Sequence, residues 1–85
     1  MKNVQPALTR FEWDGISRTL GNIWTAEKAA RKMTCRLVTH PLGWELRLLI
    51  GEELFQSETC RTDTKVFEVA DRWESEVASK GWVRS

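Results

Sequence analysis

From Met33 to Trp82, three short segments whose apolar residues recur at every second position are followed by one stretch of helical period. That order confines the chain to a small antiparallel sheet with a helix laid against it. The clearest alternation is Trp44, Leu46, Leu48 and Ile50 against Glu45, Arg47 and Leu49, which reads as a central strand with one apolar face. Before it, Met33, Cys35 and Leu37 share one face of a strand, while Thr34, Arg36, Val38 and His40 share the other. Pro41-Leu42-Gly43 between the two runs is turn chemistry. Gly51-Glu52 can turn the chain back into a third strand from about Leu54 to Cys60, because glycine accepts the positive φ of a tight hairpin. With a two-residue loop, Phe55, Ser57 and Thr59 point inward. A change of one residue would instead turn Leu54, Gln56, Glu58 and Cys60 inward, and the first register is preferred because an inward Glu58 would need a partner.

After Cys60 the period changes. Thr62, Asp63 and Thr64 are all good N-caps, and Val66, Val69, Ala70, Trp73 and Val77 form a helical stripe. Lys65, Glu68, Asp71, Arg72, Glu74, Glu76 and Lys80 occupy the other side, with Glu68 and Arg72, and Glu76 and Lys80, spaced for helical ion pairs. Gly81 stands where a left-handed residue would end the helix.

Two signals compete in the first third. Trp13-Asp14-Gly15-Ile16 has the look of a hairpin tip, with Phe11 and Trp13 on one side. Alternatively, Asp14 caps a helix carrying Ile16, Leu20, Ile23, Glu27 and Ala30, which Gly21-Asn22 would weaken. A short helix is expected from about Thr25, where Ala26-Glu27-Lys28-Ala29-Ala30-Arg31-Lys32 has high helix propensity. Residues 1–24 then form an arm or tail of uncertain order, the first seven of them mobile, and residues 25–85 form one small domain. At 85 residues there is material for one core only.

The expected fold is therefore α+β: a three-stranded antiparallel β-meander with a C-terminal helix packed on one face and a short helix before the first strand, in the order α-β-β-β-α. The run His40-Pro41-Leu42-Gly43-Trp44-Glu45-Leu46-Arg47, with Thr59-Cys60-Arg61 and Ala78-Ser79-Lys80-Gly81-Trp82, resembles small uncharacterised bacterial proteins of unassigned function over the C-terminal half. That resemblance implies a fold and no activity. The element order resembles the double-stranded-RNA-binding domain in topology. Where that family places a lysine cluster at the start of its second helix, this chain reads Thr62-Asp63-Thr64-Lys65-Val66-Phe67, without the cluster.

Charge and composition narrow the function classes. The apolar fraction of 41% and charged fraction of 29% are those of a folded protein. Net charge is +1, with six Lys/Arg against three Asp/Glu in residues 1–32, two against four in 33–60 and five against five in 61–85. No apolar run has the length of a membrane span, and the first ten residues lack the apolar core of a secretory signal, so a cytoplasmic location and no membrane partner are expected. Two cysteines in such a chain are expected as free thiols, since the first and third strands of a meander stand too far apart for a disulfide.

Cys35, His40 and Cys60, with Asp63 or Glu58, are the residues a metal would use, but their spacing matches no zinc pattern, and no metal or cofactor is expected. His40 is the only histidine and has no nucleophile placed by sequence beside it, so an enzyme is not expected. Five tryptophans in so short a chain are the compositional oddity. Trp73 and Trp44 fit the core. Trp13, Trp24 and Trp82, with Val38 and Leu49 on the sheet face away from the helices, are candidates for a protein interface, because tryptophan joins a large apolar body to one polar donor. The leading expectation is a small non-enzymatic protein-interaction or self-associating domain. The alternative is weak nucleic-acid binding through Lys28, Arg31, Lys32 and Arg36.

Overall fold

The computed structural model describes residues 15–85. Four strands follow one another as antiparallel hairpins: β1 (Thr19–Lys28), β2 (Arg31–His40), β3 (Gly43–Ile50) and β4 (Glu53–Cys60). The helix α1 (Asp63–Ala78) then crosses one face of the sheet, and the two-residue β5 (Val83–Arg84) pairs with β1 at the far edge. Strand order across the sheet is β4-β3-β2-β1-β5. The class is α+β, but the expected three-stranded α-β-β-β-α arrangement is overturned: the sheet has five strands, β2 rather than β3 is its middle strand, and the segment from Thr25 is a strand and not a helix. The topological resemblance to the double-stranded-RNA-binding domain rested on that leading helix and falls with it.

Tertiary packing explains the reversal at Thr25. Trp24 and Ala26 alternate with Thr25 and Glu27, and the first pair lies opposite Cys35 and Met33, so both join the buried face beneath α1. Helix propensity differences of a few tenths of a kcal/mol per residue do not compete with burying a tryptophan. Ala29 and Ala30 then form the two-residue β1–β2 turn, with φ of 51° and 67°. Two successive positive φ values are those of a type I′ hairpin turn, here built without glycine or asparagine. The division expected between residues 24 and 25 falls inside β1. Trp13 and residues 1–14 of the expected arm lie outside the described residues, residues 19–24 of that arm belong to β1, and the helix from Asp14 is overturned by β1.

The β3–β4 hairpin has the expected Gly51-Glu52 loop, with Gly51 at φ 63° and Ile50 opposite Glu53. A bulge then intervenes. Leu49 pairs with Leu54 and Leu48 with Gln56, so Phe55 is an extra residue and every later side chain changes face. Gln56, Glu58 and Cys60 therefore face the helix side, against the preferred register. Glu58 finds the partner it needed in the α1 residue Arg72, whose Nη2 donates to its Oε1 over 2.8 Å. Arg72 consequently pairs across to the sheet and not with Glu68, which faces Lys65 at 4.0 Å.

The stripe Val66, Val69, Ala70, Trp73 and Val77 is the buried face of α1. Thr62 caps its start, its Oγ1 accepting from the Lys65 N–H over 3.1 Å. The end closes with the Trp82 N–H donating to the Val77 carbonyl and the Gly81 N–H to that of Ala78, the paired bonds of a Schellman motif around Gly81 at φ 96°. The core joins these helix residues to Trp24, Ala26, Met33, Cys35, Leu46, Leu48 and Cys60. Trp24 fixes helix to sheet by direction as well as area, because its Nε1–H donates to the Ala70 carbonyl over 3.0 Å. Among the described residues no helix is long and apolar enough to cross a membrane.

Candidate functional site

The thiols and the histidine serve the fold. Cys35 and Cys60 are free and fully buried on β2 and β4, with β3 between them. Burial pushes the Cys35 thiol up to about 12, with further contributions from Cys60 and the Glu74 carboxylate. Burial also raises Cys60, the Glu58 carboxylate adding to the effect and Lys65 and Arg72 opposing it. Both are thus held as thiols at neutral pH. His40 uses Nδ1 to accept the Leu42 N–H over 3.0 Å, bracing the β2–β3 turn. Among the described residues, no three His, Cys, Asp or Glu side chains stand together as metal ligands would.

The interface candidates do not come together as one surface. Trp24 is core, at 4% exposure beneath α1. Trp82 is half-buried where the chain leaves the helix, and Trp13 lies outside the described residues. Val38 and Leu49 do lie on the face away from α1, yet they are only 2% and 7% exposed, so neither offers free apolar surface. The basic candidates are divided as well. Lys28 and Arg31 lie opposite each other in step with Ala26 and Met33, on the helix side of the sheet. Lys32 and Arg36 alternate to the other side, where Arg36 reaches Asn22 over 3.5 Å. The contiguous basic stripe that tracks a phosphate backbone is not formed by these four.

Among the described residues, one sheet edge is open. β4 is hydrogen-bonded to β3 on one side and is the outermost strand on the other. Leu54 and Phe55 at its start are 56% and 63% exposed. Natural edge strands are blunted with lysine, proline, bulges or very short length. β4 has eight residues, no lysine and no proline, and its one bulge lies at Phe55, near the end nearest the loop. The remainder, Gln56 to Cys60, is regular strand whose outer backbone groups join no β-ladder among the described residues. The sequence gives no sign of this patch, because the bulge at Phe55 leaves no mark in the hydrophobic pattern.

No protein family, characterised protein or solved structure matches this chain. The geometry of the site therefore carries the functional reading alone.

Proposed function

We propose that this is a small non-enzymatic interaction domain that self-associates by antiparallel pairing of β4 with β4 of a second copy. The observation that supports it is the open β4 edge, eight residues long and bearing exposed Leu54 and Phe55. Edge pairing draws its affinity from main-chain hydrogen bonds and its register from side chains. A two-fold axis at Ser57 sets Gln56 opposite Glu58 of the second copy and brings the Glu53 end of one β4 alongside Arg61, just past the end of the other, twice per dimer. Cross-strand pairs of opposite sign contribute roughly 0.2 to 1 kcal/mol each, and like charges oppose pairing by similar amounts.

Sedimentation equilibrium tests this directly. The native chain is expected to self-associate, Glu53→Arg to weaken it by setting arginine against arginine, and Glu53→Arg with Arg61→Glu to restore it. A chain that stays monomeric up to about 1 mM, where an interaction would be worth only ~4 kcal/mol, refutes the proposal. So does a double variant no better than the single one.

A further inference from the structure

At the end of the sheet that holds the β1–β2 and β3–β4 turns, α1 stops short and leaves an open cavity of about 300 Å³ on the helix side. Its floor is apolar, made by Met33, Ile50, Val77 and Trp82, with exposed Phe55 as one wall. Its polar rim is entirely cationic: Lys28, Arg31 and Lys80, with no carboxylate among the lining residues.

Three features of the rim work against stability. Lys28 and Arg31 stand directly opposite each other in the β1–β2 ladder, a like-charge pair that opposes hairpin formation. The turn joining them holds Ala29 and Ala30 at positive φ, where glycine or asparagine would sit without strain. Lys80 adds a third positive charge beside them. The partial negative charge at the C-terminus of α1 faces this cluster, and Lys28 answers it by donating from Nζ to the Lys80 carbonyl over 2.6 Å. An ammonium has three donors, so Lys28 keeps two for a ligand, and the Arg31 guanidinium has a fork suited to a carboxylate.

We infer that this cavity binds a small amphipathic carboxylate, its apolar chain on the Met33–Trp82 floor and its carboxylate among Lys28, Arg31 and Lys80. The volume equals that of about ten waters, which suits a medium-chain fatty acid anion of roughly eight carbons and excludes a long-chain one lying fully inside. This site uses the helix side of the sheet and does not depend on β4 self-pairing, which is read by sedimentation and not by the measurement below.

The test is titration of the ¹⁵N-labelled protein with octanoate, octanol and acetate, following the Trp82 indole N–H signal by NMR. Octanoate is expected to shift that signal saturably and to bind about tenfold or more tightly than either octanol, which has the chain without the charge, or acetate, which has the charge without the chain. Arg31→Gln, at an exposed position, should fold normally and bring octanoate down toward octanol, and added salt should act in the same direction. Equal binding of octanoate and octanol to the native chain would overturn the role of the rim. No shift of the Trp82 signal with octanoate, or an undiminished preference in both Arg31→Gln and Lys80→Gln, would overturn the site.

Discussion

Replacing Ala30 by glycine should make this protein more stable, which is the reverse of what its local sequence suggests. Ala30 sits at φ 67° in the second central position of the β1–β2 turn. An L-residue with a Cβ in that region is strained by about 1 to 2 kcal/mol, because Cβ crowds the following carbonyl oxygen. Glycine removes the strain, while the greater freedom it gives the unfolded chain takes back about 0.4 to 1 kcal/mol. The net gain is therefore about 1 kcal/mol. For a domain of this size that raises the melting temperature by roughly 4 to 8 °C. Ala29→Asn with Ala30→Gly should add to it, since Asn-Gly is the preferred pair for a type I′ turn. Urea titration followed by tryptophan fluorescence supplies the free energy, and an unchanged denaturant slope would show that stability changed without a change in the surface exposed on unfolding. If Ala26 to Lys32 were helical instead, Ala30→Gly would destabilise by about 1 kcal/mol. The sign alone therefore separates the two conformations, and a loss of stability would refute the turn.

Four further outcomes are expected. Gly43→Ala should destabilise by about 1 to 3 kcal/mol, read as a lower urea midpoint, since at φ 137° its Cβ would stand 2.6 Å from the Cys60 carbonyl oxygen. Trp24→Phe should cost about 1 to 2 kcal/mol in the same assay, by removing the buried indole donor to Ala70 along with part of the ring. A double-mutant cycle on Glu58→Gln and Arg72→Ala should give a coupling of about 0.2 to 1 kcal/mol that shrinks with salt, because this pair is partly exposed. The Cys35 contribution to stability should be fully present below the ordinary thiol value of 9.0 and be lost as pH rises toward about 12, since the unfolded chain releases the Cys35 proton first and the folded chain retains it. Denaturation midpoints between pH 8 and 11 check this, and Cys35→Ala, though less stable at pH 8, should show a shallower fall.

How much could be read from the chain differs by element. The stripe and terminator of α1 were legible and its cap was narrowed to Thr62, Asp63 or Thr64, because this information is local: a hydroxyl three residues before the N–H it accepts, a repeat of 3.6, and a glycine where φ turns positive. β2, β3 and both of the turns flanking β3 were legible for the same reason. β1 was not. Its alternation covers only Trp24 to Glu27, and Ala29-Ala30 reads as helix to any count of propensities, while the sheet uses it as a turn. The β4 register was missed because a bulge adds one residue without altering the hydrophobic pattern. The fact that settles it, Arg72 of α1 reaching Glu58, joins positions 14 residues apart.

The candidate sites divide along the same line. Sequence could count five tryptophans and four clustered bases, but whether such residues share a surface depends on which strand neighbours which. Pairing of β1 with β2 sent Trp24 under α1 and split Lys28 and Arg31 from Lys32 and Arg36. By itself the sequence determined the periods of β2, β3 and α1, the ends of the helix and the two turns flanking β3, since these are set by interactions a few residues apart. The tertiary structure alone decided the fifth strand, the bulge that turned Phe55 out and the cavity beneath the end of α1. Those depend on contacts between residues far apart in the chain, whose energies outweigh local preference wherever a large side chain is buried.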